Sequence, residues 1–170
     1  MKVLVFGGSI AERYWATRGG WVQQLINDVA PFGIDHGQGG GEVDWIMNLG
    51  VAGDTTGKVL ARFEAETQAR IGPPDAALGV VFAVGANDSM KVGDHYLSTP
   101  AQFTDNLAAL HGLARRRTDH IMFIDFTAMD PDGPGTRQFF DPVRVAHAVE
   151  VAGQAADVAV ARVTAGRPSK

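Results

Sequence analysis

The chain has 170 residues, a length that suits one domain able to bury its own core. It contains no cysteine, which excludes disulfides, thiolate metal sites and thiol nucleophiles together. With 15 Lys and Arg against 19 Asp and Glu, the formal net charge is -4, which argues against a broad nucleic-acid or acidic-membrane surface.

The first ten residues organise the rest. An apolar run from Val3 to Phe6 stops abruptly at Gly7, Gly8 and Ser9. Such a run without alternation suits a strand buried on both faces, as in a parallel sheet under helices. Two glycines then permit a sharp turn, and a hydroxyl follows where a helix can begin. Ser9 therefore has two readings: a nucleophile displayed at a strand end, or the cap of the next helix. The apolar stretch after Met1-Lys2 is too short for a signal peptide, and no run reaches transmembrane length, so a cytoplasmic protein is expected.

Trp21, Val22, Leu25, Ile26 and Val29 follow helical spacing, giving an amphipathic helix that ends near Pro31 to Gly33. Asp35 to Gly41 is rich in glycine but follows a helix and lacks the Lys-Ser/Thr pair of a P-loop, so it reads as a connection. A second strand is expected over Val43 to Asn48, leading into Leu49-Gly50-Val51-Ala52-Gly53-Asp54-Thr55-Thr56. Val59, Leu60, Phe63, Thr67 and Ile71 describe the next helix, which Gly72-Pro73-Pro74 terminates. Ala77 to Val84 should be a central strand, ending in Gly85-Ala86-Asn87-Asp88-Ser89, with a longer connection from Met90 to Ser98.

At Thr99-Pro100-Ala101-Gln102 a threonine can cap, a proline takes the first helical position, and a glutamine can reach back. Phe103, Leu107, Leu110, Leu113 and Ala114 form the buried stripe of that helix. Arg115-Arg116-Arg117 falls in its last turn, where cations complement the helix dipole. Ile121 to Phe126 is a fourth strand, Asp141-Pro142 opens a last helix, and Val158 to Val163 reads as a fifth strand. Strand and helix alternate throughout, which predicts an α/β protein: a three-layer α/β/α sandwich around a flavodoxin-like, five-stranded parallel sheet. One domain is expected over residues 1–166, followed by a polar tail over 167–170.

Ser9, the loop from Gly50 to Thr56, the Asn87 loop and the Thr127 loop all lie past carboxyl ends of strands, so in a parallel sheet they face one crevice. Acyl transfer at a serine needs an exposed hydroxyl, donors aimed at the developing oxyanion, and a base. Ser9 can supply the first. The backbone N–H of Gly53 and the side-chain amide of Asn87 can supply the second.

The order Val5-Phe6-Gly7-Gly8-Ser9-Ile10, then Asn48 to Thr56, then Val84-Gly85-Ala86-Asn87-Asp88 resembles the SGNH, or GDSL-type, hydrolases: esterases, lipases, thioesterases and carbohydrate deacetylases with a flavodoxin-like fold. The motifs carry the resemblance over about the first three quarters of the chain. It implies Ser9 as nucleophile, with the N–H groups of Ser9 and Gly53 and the amide of Asn87 as oxyanion donors. Trp21 and the stretch from Thr127 to Asp130 look like family positions of structural kind.

Two departures stand beside these matches. The family's first motif reads Gly-Asp-Ser, whereas Gly8 precedes the serine here. The family also carries a late Asp-x-x-His, the catalytic base and its orienting acid, which is missing here; one alignment has the chain stop about where that motif should begin. Another sets Asp141-Pro142-Val143-Arg144 on the motif, with an arginine that cannot accept a proton. Among the histidines, His147 faces away from its helix's apolar stripe, His111 and His120 fall at the wrong end of the sheet, and His36 belongs to the glycine-rich loop. His95, in the connection after Asn87, is the internal candidate for a base.

Asp54, Asp88 and Asp130 surround the expected crevice, but each has an ordinary role, Asp54 as a helix cap, Asp88 as an acceptor for backbone N–H groups and Asp130 ahead of a proline turn. No metal and no cofactor is implied. Tyr14, Trp15, Tyr96, Phe139 and Phe140 either line the pocket or pack the core edge.

The functional expectation is a serine hydrolase acting on an ester, thioester or O-acetyl group with an atypical or incomplete triad. The alternative is a non-hydrolytic protein that uses the Ser9, Gly53 and Asn87 pocket to bind a carbonyl compound or another small ligand. Nucleotide or flavin binding is a weaker third reading, since Gly7-Gly8-Ser9 lacks the G-x-G-x-x-G pattern. The expected partner is a small-molecule acyl ester or related ligand, with neither nucleic acid nor membrane. An exposed sheet edge beside the missing motif leaves pairing into a homo-oligomer open.

Overall fold

The computed structural model describes residues 1–13, 19–34, 45–71 and 77–124, with backbone alone for 30–34. The expected last helix and fifth strand, Asp130, the Thr127 loop, His36, His147, Tyr14, Trp15, Phe139 and Phe140 lie outside these residues.

The described elements alternate as expected. They are β1 (Lys2–Gly7), α1 (Ser9–Glu12), α2 (Trp21–Ile34), β2 (Trp45–Gly50), α3 (Thr56–Arg70), β3 (Leu78–Ala83), a small hairpin of β4 (Lys91–Val92) and β5 (His95–Tyr96), α4 (Pro100–Arg115) and β6 (His120–Phe123). The main sheet has the order β2-β1-β3-β6, and all its described pairs are parallel. Four strands of the expected five are thus described.

Helices cover both faces. Along β1, Leu4 and Phe6 point one way and Val3 and Val5 the other, which is why the sequence shows a continuous apolar run instead of an alternating one. Leu4, Phe6, Val80, Phe82, Ile121 and Phe123 meet Val59 and Phe63 of α3 and Phe103, Leu107 and Leu110 of α4 in the larger core. Four rings run through it: Phe6 to Phe63 at 5.0 Å, Phe63 to Phe82 at 5.6 Å and Phe82 to Phe123 at 5.0 Å between centroids. On the opposite face Val5 and Ala83 meet Ala11 of α1 and Val22 of α2, with Trp21 packed beside them.

Local signals place several ends. Thr99, Pro100 and Gln102 form a complete capping box at the start of α4, with both reciprocal bonds made. Helix α3 starts earlier than its apolar stripe, because Thr55 caps it and accepts from the Lys58 N–H. β2 extends two residues beyond the expected end at Asn48, since its ladder continues beside β1 to the Gly7–Gly50 pair. The connection from Met90 to Ser98 contains the β4–β5 hairpin, which its sequence did not announce. At the far end of α4, Arg115 pairs with Asp119 and Arg116 reaches Glu64, so these cations are engaged on the surface. Among the described residues no helix is long and apolar enough to cross a membrane.

Candidate active site

The strand register brings the loops of interest together. Gly7 at the end of β1 is level with Gly50 on β2 and Ala83 on β3, so the loops carrying Ser9, Gly53 and Asn87 leave the sheet side by side. After β1 the chain turns to the α1–α2 face, and after β3 to the α4 face. The crevice between those strand ends is therefore the switch point at which open α/β sheets bind ligands.

Close packing dictates the glycines here. A Cβ on Gly7 would lie 2.5 Å from the Ala11 Cβ and 2.8 Å from the Ala83 carbonyl oxygen. On Gly8 it would lie 2.8 Å from Asn87 Nδ2, so the amide occupies the space that a side chain at this position would enter. Gly8 is also the N-cap of α1 and Ser9 its first residue, and no side chain caps this helix. The capping alternative for Ser9 is thereby removed. Its hydroxyl makes no hydrogen bond among the described residues.

Gly8, Ser9, Ile10, Asp54, Ala83, Val84, Gly85, Ala86 and Asn87 line one small cleft. Gly53 is the neighbour of Asp54 on its rim, held at φ +78° in a turn that a side chain would strain, and its N–H is unbonded among the described residues. Of the four candidate residues, Ser9 and Asn87 share the cleft lining, and Gly53 stands next in sequence to its Asp54. His95 is exposed in β5 and is not among the residues lining this cleft.

The three loops are tied to one another. Asn87 Nδ2 donates to the Asp54 carbonyl at 2.8 Å, which anchors one side of the amide and leaves its second N–H for a ligand. The Val51 N–H donates to the Gly7 carbonyl at 3.0 Å, Asn48 Nδ2 donates to the Ala11 carbonyl at 2.7 Å, and the Glu12 carboxylate accepts from the Ala52 N–H.

Two of the acids have clear partners. Asp88, buried to 3% exposure, accepts from the Thr56 N–H at 2.9 Å, the Thr56 hydroxyl at 2.6 Å and the Ser98 hydroxyl at 2.7 Å. As the sequence suggested, it serves a backbone N–H, and it thereby joins the Asn87 turn to the start of α3. Asp54 does not cap that helix. Its carboxylate pairs with Arg62 Nε at 2.8 Å, and Thr55 takes the cap position instead. Among the described residues no three His, Asp or Glu side chains converge as a metal-binding group.

Reasoning from motifs missed Arg62, Asn48 and Glu12, whose partners lie far along the chain or on other loops. The model of the GDSL-like lipase/acylhydrolase family matches residues 5–167 of this chain. The chain belongs to this family. The match extends past the three quarters of the chain to which the motifs alone confined the resemblance.

Solved structures agree in fold. The crystal structure of TesA superposes with a TM-score of 0.65 at 24% identity, over 94% of this chain and 75% of its own. A lipase/acylhydrolase from Enterococcus faecalis gives 0.64 at 24% identity, over 94% and 72%. The acetyl xylan esterase AlAXEase gives 0.67 at 18% identity, over 94% and 74%. No match is found among curated protein sequences.

Proposed function

We propose that this GDSL-like family member is a serine hydrolase acting on an ester, thioester or O-acetyl group of a small molecule, with Ser9 as its nucleophile. The observation that carries the reading is the shared cleft of Ser9 and Asn87, with Asp54 and the adjoining Gly53 at its rim. Ser9 Oγ would attack the substrate carbonyl carbon, and the electron pair displaced onto oxygen would meet the N–H groups of Ser9 and Gly53 and the second N–H of Asn87. Collapse of the tetrahedral intermediate breaks the bond to the leaving alcohol or thiol, which takes up the serine proton through the base. Water then hydrolyses the acyl-enzyme by the same route. AlAXEase is named an acetyl xylan esterase and the E. faecalis protein a lipase/acylhydrolase, which supports this reading.

The proposed base is His95. It is exposed on a two-residue strand in the connection after Asn87 and is not among the residues lining the cleft.

A second reading rests on the extent of the family match. Because it runs to residue 167, it spans Asp141-Pro142-Val143-Arg144, and one alignment of that stretch with the Asp-x-x-His motif sets Arg144 where the histidine belongs. In that alignment the family's own base is absent, and the pocket would bind a carbonyl compound without hydrolysing it.

Intact mass after exposure to a fluorophosphonate probe separates the two. A single adduct that vanishes in Ser9→Ala supports the hydrolase, and loss in His95→Ala as well names the base. An adduct-free wild type, under conditions that label an ordinary serine esterase, favours the binding protein.

A further inference from the structure

Arg62, on α3, lies under the loop that presents Gly53 and is engaged three ways. Its Nε donates to Asp54 Oδ2 at 2.8 Å, its Nη2 donates to the Leu49 carbonyl at 2.6 Å, and its guanidinium carbon stands 5.4 Å from the centre of the Phe6 ring. Leu49 and Asp54 are the residues on either side of the 50–53 turn, so one planar group clamps both stems of that turn. Phe6 is level with Leu49 in the β1–β2 register, which puts the aromatic contact beneath the same stem.

Asp54 is the pivot of this arrangement. Its carboxylate holds the arginine, while its carbonyl accepts the Asn87 amide and its N–H closes the turn onto the Val51 carbonyl at 3.1 Å. The Arg62 side chain is 19% exposed and that of Asp54 8%, so water screens the pair weakly. A lysine here could keep the charge but could not span two acceptors in one plane.

We infer that Arg62 is a positioning residue of the oxyanion pocket, acting through Asp54 on both the Gly53 N–H and the Asn87 amide. This rests on the hydrolase reading above. Loosening the clamp leaves Ser9 and the cleft in place but lets two donors drift from where charge develops. The transition state suffers more than the bound substrate.

The test compares wild type, Arg62→Lys and Asp54→Asn in Ser9-dependent hydrolysis of p-nitrophenyl acetate, together with the Gly53 backbone and Asn87 side-chain amide resonances of the isotope-labelled free proteins. A fall in kcat of about tenfold in Arg62→Lys, short of the ~100-fold that removal of an oxyanion donor costs, is expected with KM nearly unchanged. Both resonances should move in Arg62→Lys and, less, in Asp54→Asn. A folded Arg62→Lys protein with wild-type kcat and unmoved resonances overturns the inference. So does a loss confined to thermal stability. If wild type shows no Ser9-dependent turnover, the hydrolase reading fails on its own account, and the resonances alone decide whether Arg62 holds the two donors: displaced signals support the clamp and unmoved ones reject it.

Discussion

The two faces of the sheet are built from different materials. On the α3–α4 face, Phe6, Phe63, Phe82, Phe103 and Phe123 fill a deep aromatic core, whereas among the described residues the fully covered part of the α1–α2 face is Val5, Ala11, Val22 and Ala83, with Trp21 and Ile26 half-buried against it. Bulk on one side supplies apolar burial, about 25 cal/mol for each Å² removed from water. Smallness on the other lets α1 press against the ends of β1 and β3, and this closeness sets Ser9 beside Asn87. The larger apolar burial thus comes from one face and the close approach of Ser9 to Asn87 from the other, while Arg62 and Thr56 of α3 tie the two together at the strand ends.

The largest expected effect is on the aromatic face. Phe82, fully buried and stacked on Phe123, should cost about 3–5 kcal/mol when truncated in Phe82→Ala. Urea unfolding measures this, and a loss under about 1 kcal/mol would mean that the ring cluster is not the main support of the fold.

The small-residue face should respond differently. Gly7→Ala forces a Cβ into the Ala11 Cβ and the Ala83 carbonyl, with an expected loss of about 1–3 kcal/mol from overpacking. Its greater consequence should be at Ser9, whose fluorophosphonate labelling is expected to slow well beyond the change seen in Phe82→Leu at matched stability. Equal slowing in the two variants would erase the division between faces.

Smaller changes sharpen the comparison. Thr67 on α3 is fully buried, and its hydroxyl has no hydrogen-bond partner among the described residues, so the nearly isosteric Thr67→Val should stabilise by about 1 kcal/mol, read from the urea midpoint. Gly112, within α4 with open space where a Cβ would stand, should give about 0.5–1 kcal/mol of added stability as Gly112→Ala. Neither should alter labelling of Ser9, and a change there would show that the helix face is coupled to the site.

Much of this was legible in the chain itself. The unbroken run Val3 to Phe6 announced a strand covered on both faces, and Thr99-Pro100-Gln102 announced a helix start that the structure forms with both capping bonds. Gly7-Gly8-Ser9, the Gly50 to Thr56 loop and Asn87 announced a family. What misled was local chemistry with more than one outlet: Asp54 suits a cap by type and position, but Arg62 arrives from two turns along α3 and Thr55 is there to cap. The β4–β5 hairpin escaped notice because two-residue strands carry too little pattern to register.

Period, capping and glycine turns are properties of a few neighbouring residues, so element type and order followed from the sequence. The Asn87 amide on the Asp54 carbonyl joins residues 33 apart, and Arg62 reaches both stems of the Gly53 turn only because α3 packs against β1, beside the end of β2. Such contacts are decided by how the layers pack, where a helix offset of a single turn would carry the guanidinium about 5 Å from its acceptors.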